Sequence, residues 1–298
     1  LPPGVFNLVQ GASAVGQALV ADPRLRGLIF TGGWHTARHI QKALLERPGV
    51  KLALELGGKN PAVVLEDAAL DHAVREILLG ALLTSGQRCT ATSRVIASPG
   101  IAAALKDRLV SAFRAVRPAD PRLDATFLGP LASRATTDRF LARLRAAHAE
   151  GALVLVESER VGHAAVTPSL YAVRGDEPIV SDEVFGPNVL FEVAASDADA
   201  IARAPGPFGL SASIFTERAE LVEQFYDAVP AGVINWNRST NGASGLLPFG
   251  GVGFSGNYQA GGSGALRIAT YPVAFMQAPS SQRTANPALD AALQGTPP

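Results

Sequence analysis

Stretches with helical apolar spacing and short runs of buried-strand character take turns along most of this chain, and that alternation limits its fold more than any other feature. A helical pattern over residues 14–21 feeds the extended run LRGLIFTG at 25–32. Helical spacing returns at 36–46, where Ile40, Ala43 and Leu44 share a face, and Pro48-Gly49 stops it. KLALEL at 51–56 reads as a strand. Asn60-Pro61 interrupts, AVVL at 62–65 resumes the extended signal, and residues 70–83 place Leu70, Ala73, Val74, Ile77, Leu78 and Ala81 on one amphipathic helix. An extended run at 93–97, helices at 102–116 and 133–149, a strand at 153–156 and strand-like segments at 179–180 and 189–192 follow. A helix at 219–228, a strand at 232–236 and an extended segment at 269–275 complete the pattern. Strands alternating with helices predict an α/β fold with mainly parallel sheets.

The chain has 298 residues, 47% of them hydrophobic, enough to bury the core of one large domain or two ordinary ones. Its formal net charge is zero and only 17% of residues are charged, so a nucleic-acid partner is not expected. No apolar run approaches the roughly 18 residues that a bilayer requires, so no membrane association is expected. A single cysteine excludes a disulfide framework and fits a reducing compartment, with the cytoplasm as the expected location. LPPGVFNLVQG has no initiator Met, no basic region and no apolar leader, and reads as the start of a fragment.

Five segments combine residues with chemical potential. In FTGGWHTA (30–37) a strand ends in paired glycines that open a helix, which lets backbone amides approach a phosphate; the same turn is also common as plain structure. In LELGGKNP (54–61), Glu55 stands between Leu54 and Leu56. Burial there would raise its pKa toward that of a general base, whereas a strand-end glutamate facing water would stay ordinary. SGQRCTATS (85–93) holds Cys89 in a polar loop beside Arg88. Cationic neighbours and backbone dipoles favour the nucleophilic thiolate, and a buried filler thiol is the alternative. SDEVFGPN (181–188) offers Glu183 for ribose hydroxyls and Phe185 for a heterocycle, or else is a solvated acidic turn. LPFGGVGFSGN (247–257) brings Phe249 or Phe254 to a pocket, unless it is a flexible surface connection.

Taken together and in this order, with Glu55 and Cys89 separated by 34 positions, these segments resemble the NAD(P)-dependent aldehyde dehydrogenase superfamily from about Val5 to about Phe275. ELGGK, GQRC, EVFGP and PFGG match its signature set. GQRCT, NWNRSTNGAS (235–244) and FGGVGFSGN look most like the N-succinylglutamate 5-semialdehyde dehydrogenases of bacterial arginine degradation. Where those enzymes continue past Gly-Asn with His-Arg-Pro-Ser, this chain has Tyr258-Gln259-Ala260-Gly261-Gly262.

The resemblance implies an aldehyde dehydrogenase-like fold: the C-terminal part of a Rossmann-type NAD(P)-binding domain (1–57), an α/β catalytic domain (58–256), and an oligomerisation strand with a mobile tail (257–298). It implies a small-molecule aldehyde substrate, NAD (or NADP) as cofactor, no metal, and a homodimer or homotetramer in the full-length form. Cys89 would attack the aldehyde, the thiohemiacetal would lose hydride to the nicotinamide, and Glu55 would activate water to hydrolyse the thioester. Gly32, Gly33 and Trp34 would lie at the cofactor phosphates, with Glu183 and Phe185 at its nicotinamide ribose and ring. Family subunits usually have Ser in place of Gly33 and Gly in place of Ala37, and carry an N-terminal segment with an oxyanion asparagine and a ribose-binding lysine. A chain starting at Leu1 is therefore expected to show little dehydrogenase activity by itself.

Overall fold

Strands buried on both faces pair side by side at the centre of the molecule, because an uninterrupted apolar strand is stable only with cover on each side. The computed structural model describes residues 1–258, 261–282 and 284–295. Gln259 and Ala260, part of the departure noted above, lie outside the described residues, as do Arg283 and the last three residues of the segment read as a mobile tail.

The chain opens with α1 (Ser13–Ala21), β1 (Gly27–Thr31), α2 (Trp34–Leu44) and β2 (Lys51–Glu55), and β1 and β2 pair in parallel with Thr31 beside Glu55. Next come β3 (Asn60–Val64), α3 (Leu70–Leu82), β4 (Thr92–Ala97), α4 (Pro99–Ala115), α5 (Arg134–Ala149) and β5 (Leu153–Val156). A small hairpin, β6 (Arg160–Val161) and β7 (Ala165–Val166), precedes β8 (Ser169–Ala172), β9 (Asn188–Val193) and α6 (Asp197–Ala202). Then follow β10 (Phe208–Gly209), β11 (Ser211–Phe215), α7 (Ala219–Ala228) and β12 (Val233–Trp236). Two short antiparallel pairs close the region: β14 (Val252–Gly253) with β10, and β13 (Pro248–Phe249) with β15 (Gly261–Gly262). The described chain ends with α8 (Leu266–Ala269) and α9 (Pro287–Leu293).

Seven strands form one sheet in the order β12-β11-β3-β4-β9-β8-β5, parallel except for the β5–β8 pair. Side chains alternate across it as strand geometry requires. Ala62, Val64, Val95 and Ala97 pack with Ile77, Leu105, Leu109 and Phe113 of α3 and α4. Val63, Leu65 and Ile96 pack on the other face with Ala200, Ile201 and Phe225 of α6 and α7. A separate apolar cluster of Val20, Ile40 and Leu44 seats α1 and α2 on the β1–β2 pair.

Asn60-Pro61 opens β3 rather than breaking it. The register against β4 shifts at that dipeptide, which accommodates the missing proline N–H. The Asn60 side chain donates to the carbonyls of Cys89 (2.8 Å) and Ala91 (2.9 Å) and accepts from the Ser211 amide (3.1 Å), tying three segments together.

Four features differ from the sequence reading. Ile179 and Val180 are buried in a 3-10 turn, Pro178–Ser181, not a strand: Pro178 cannot donate to a ladder, and the Glu177 carboxylate accepts from the Arg174 and Gly175 amides just before the turn. Strands β8 and β11 were not visible as strands. Ala269 ends a helix, and residues 270–275 join no ladder among the described residues; the Lys51 ammonium holds the backbone carbonyls of Arg267 and Thr270 instead. Within the segment read as a mobile tail, Pro287–Leu293 is helical, capped by Asn286 accepting from the Leu289 amide. Among the described residues no helix is long and apolar enough to cross a membrane.

Inside β4, Arg94 is 4% exposed and forms a two-pronged ion pair with Glu192 of β9, Nε to Oε1 at 2.8 Å and Nη2 to Oε2 at 3.2 Å. Removing one partner strands a buried charge. Glu192→Ala is therefore expected to cost about 3–5 kcal/mol in urea unfolding, and the double apolar replacement Arg94→Met/Glu192→Leu markedly less. Equal losses in the two variants would contradict this account.

Candidate active site

Cys89 reaches its position through an unusual turn. After α3 the backbone passes through Thr84 (φ 54°), Ser85 (φ 57°) and Gly86 (φ 65°), three successive left-handed residues. For the two that carry a Cβ this costs roughly 1–2 kcal/mol each. Hydrogen bonds to a neighbouring segment hold the turn: Ser85 Oγ donates to the Gly129 carbonyl (2.9 Å), and Gln87 Oε1 accepts from the Ala132 amide (2.7 Å). The half-buried thiol follows, just before β4, on a helix-to-strand connection as the sequence indicated.

Glu55 ends β2. Its neighbour Leu56 donates its amide to the Ser255 carbonyl (2.9 Å), while Asn257 accepts from the Leu54 amide (2.9 Å) and donates to the Leu52 carbonyl (2.8 Å). The glycine-rich segment thus lies along the edge of β2 and fixes the strand that carries Glu55. Gly57 and Gly58 come next, and a side chain at either would have to displace a neighbour. A Cβ on Gly57 would overlap the Glu183 carboxylate and one on Gly58 the Cys89 carbonyl, and the Gly58 amide donates to Glu183 Oε1 at 3.1 Å.

These residues converge on one cavity of about 740 Å³, lined by Gly32, Gly33, Glu55, Cys89, Glu183 and Phe185 among others. Six of the seven residues singled out from the sequence meet there. Trp34 does not line it; its ring stacks on Phe254 (centroids 4.6 Å apart), which in turn meets Phe208 edge-on at 5.7 Å. Of the two glycine-loop aromatics, Phe249 lines the cavity and Phe254 locks Trp34. Sequence reasoning did not single out Asn241 as a wall residue. It accepts from Thr90 Oγ1 (2.7 Å) and donates to the Gly80 carbonyl (2.9 Å), and its only sequence signal was membership of the NWNRSTNGAS run.

The cavity suits a nucleotide cofactor. Gly33 caps α2 without a side-chain hydrogen bond and a Cβ there would meet nothing within 4 Å, so the helix start is open. Its first amides have no acceptor within the helix and carry partial positive charge, the arrangement that receives phosphate. Among the described residues no group of three or more His, Cys, Asp or Glu is placed to hold a metal ion.

Burial dominates the electrostatics. It pushes the Glu55 carboxyl up to about 7, with the Gly261 backbone amide only partly opposing; among the described residues neither carboxylate oxygen has a full hydrogen-bond partner. Burial also raises the Cys89 thiol; its own amide and that of Thr90 pull the other way, and the charges of Glu183 and Glu55 add to the rise. Arg88 does not activate the thiol as its adjacency suggested. Its Nε donates to Thr84 Oγ1 (2.9 Å), and it is not among the groups that shift the thiol. The Glu183 carboxyl is raised by burial too, against the Gly58 amide and Lys59.

Two outcomes follow. Alkylation of Cys89 by iodoacetamide should keep accelerating above pH ~9.5, where a thiol of ordinary pKa (~8.5) has levelled off; a plateau at or below that pH would count against a raised thiol. Gly57→Ala should displace the Glu183 carboxylate and change the rate of Cys89 alkylation, and an unchanged rate would separate Glu183 from the thiol.

The model of the Aldehyde dehydrogenase family matches residues 1–272. N-succinylglutamate 5-semialdehyde dehydrogenase from Pseudomonas fluorescens (strain Pf0-1) is 36% identical over 285 residues, 94% of this chain and 58% of that protein. The chain spans 58–60% of the length of the first curated relatives it matches. Among solved structures, an NAD-dependent aldehyde dehydrogenase from Sinorhizobium meliloti superposes with a TM-score of 0.83 at 31% identity, over 88% of this chain and 53% of that one. The glyceraldehyde-3-phosphate dehydrogenase GapN from Methanocaldococcus jannaschii, complexed with NADP, gives 0.83 at 28% identity, over 90% and 58%.

Proposed function

The chain belongs to the aldehyde dehydrogenase family, and on that premise we propose that Cys89 and Glu55 are the nucleophile and the base of an NAD(P)-dependent oxidation of an aldehyde to a carboxylate. The observation that carries this reading is their meeting in one cavity with Gly32, Gly33, Glu183 and Phe185.

The residues divide the work by their chemistry. Glu55, with its pKa near 7, is poised to take the Cys89 proton or that of a water molecule. The thiolate sulfur forms a bond to the aldehyde carbon, and the negative charge on oxygen develops beside the Cys89 backbone N–H, which already faces its own sulfur. Bound NAD(P)⁺ supplies the hydride acceptor. Gly32, Gly33 and the start of α2 are the groups for its phosphates, and Glu183 and Phe185 those for its nicotinamide half. Glu55 then deprotonates the water that cleaves the thioester, releasing the carboxylate and restoring the thiol. NAD is the cofactor of this proposal, as in the name of the Sinorhizobium neighbour.

The proposed substrate is N-succinylglutamate 5-semialdehyde, the compound in the curated relatives' names. Arg88 supports it. This exposed side chain lines the cavity, and among the described residues its guanidinium has a hydrogen bond only through Nε, leaving both Nη groups for a substrate carboxylate.

An activated ester isolates the thiol chemistry from cofactor binding. p-Nitrophenyl acetate should acylate Cys89 with a burst of nitrophenolate that Cys89→Ser abolishes. Glu55→Gln should accumulate the acyl-enzyme and slow its hydrolysis about 10²-fold or more. Because the ionised Glu55 is the base, hydrolysis should rise with pH through about 7 and level off above it. Rapid hydrolysis in the Glu55→Gln variant would refute the role of this residue. For the substrate, the semialdehyde should protect Cys89 from alkylation at lower concentration than propanal, a difference that Arg88→Ala removes.

A further inference from the structure

A second cavity, of about 490 Å³, shares no lining residue with the first. Its walls include Lys59, Arg94, Glu192, Arg203, Arg174 and Asp176. Lys59 is 4% exposed, directly precedes β3, and among the described residues its Nζ has no hydrogen-bond partner. Gly58 and Asn60 on either side of it face the Cys89 carbonyl, and the alternation of an extended backbone sends Lys59 the other way.

The hydrogen-bonding inventory of this cavity is lopsided. Both Glu192 oxygens are taken by Arg94. Arg94 spends a third N–H on the Arg203 carbonyl (3.0 Å) and a fourth on a long contact to the Ala204 carbonyl (3.4 Å), which leaves one of its five free. Arg203 is bonded to Asp199 (2.8 Å) and to the Arg174 carbonyl (3.0 Å), and Arg174 to Asp176 (3.3 Å). Asp182 and Glu183 act on Lys59 only through space, with Asp182 bonded to Arg143 and Glu183 to the Gly58 amide. Four basic side chains line the space against two carboxylates, and the ammonium that lacks a partner is buried. An unpaired buried ammonium is costly, and a ligand that completes it must bring acceptors and negative charge.

We propose that this cavity is a binding site for a small oxyanion, a carboxylate or phosphate group held by the Lys59 ammonium and the spare Arg94 N–H. Its volume lies in the ordinary range for small-ligand sites. Burial, aided by Arg94, holds the Lys59 pKa down to about 7, so an arriving anion reverses that depression and draws a proton onto the amine. The groups that face this equilibrium are Arg94, Arg143, Arg174 and Arg203 on the positive side and Asp176, Asp182, Glu183 and Glu192 on the negative.

Calorimetric titration of the 298-residue chain with sodium acetate and, separately, inorganic phosphate tests the proposal. At pH 8, at least one anion should bind saturably, with a heat that differs between buffers of different ionisation enthalpy because a proton is taken up. Lys59→Met should weaken binding at least tenfold and abolish proton uptake, and Cys89→Ser should change neither. Preference for acetate or phosphate identifies the anion class. No saturable binding of either anion at tens of millimolar, or binding without proton uptake in the unmodified chain, would overturn the proposal even if Lys59→Met failed to fold. So would unchanged affinity in a folded Lys59→Met variant. Loss of binding in Cys89→Ser would place the anion in the first cavity and overturn it as well.

Discussion

Everything at the cavity that Glu55 and Cys89 share depends on how the edge of β2 is held. The β1–β2 pair is only two strands wide, and a sheet of that size has little stability unless something covers it. The Asn257 side chain behaves there as a short stretch of third strand, accepting from the Leu54 amide and donating to the Leu52 carbonyl, while the Ser255 carbonyl takes the Leu56 amide. Those bonds flank Glu55 on both sides. They set its carboxyl in the same space as a thiol that arrives on a different sheet, and they do so through backbone groups whose geometry tolerates little slack. The paired glycines then let Glu183 and the Cys89 carbonyl close around the turn.

Glu55 and Cys89 share an environment that disfavours charge on both. Burial raises each, and each is a negative neighbour of the other when ionised. The resting site is therefore close to neutral, and a cation entering it would favour the thiolate. Such a site keeps its thiol protonated until a ligand changes the field.

How much was legible in the sequence followed the locality of the signal. Strands β3 and β4 announce themselves because each ends in three consecutive apolar residues, Ala62 to Val64 and Val95 to Ala97. β11 does not: Ser211 and Ser213 occupy buried positions, and the polar atoms of Ser211 are satisfied by Thr240 and Asn60, which are remote in sequence. Ile179 and Val180 carry strand propensity, yet Pro178 and the Glu177 carboxylate impose a turn that only their neighbours reveal. The same distinction runs through the site. Glu55 was readable because Leu54 and Leu56, which pack with Ala37, mark its strand as buried, whereas adjacency of Arg88 to Cys89 misled, since the Arg88 side chain bonds Thr84. Trp34 directly follows the paired glycines Gly32 and Gly33 in sequence but turns its ring to Phe254. Lys59 reads as the tail of a familiar motif, and nothing local shows that its buried side chain lines a second cavity.

The stack of Trp34 on Phe254 also makes the protein its own optical reporter. The chain has two tryptophans, and the other, Trp236, is 45% exposed at the end of β12 with its Nε1 bonded to the Thr216 carbonyl. Trp34 alone stands where the helix behind the open glycine turn touches the segment that clamps β2. Its emission is thus tied to the docking of the two-stranded unit on the large sheet, while that of Trp236 follows the sheet itself. Loosening of that junction is visible in the light from one indole before the rest of the fold has changed.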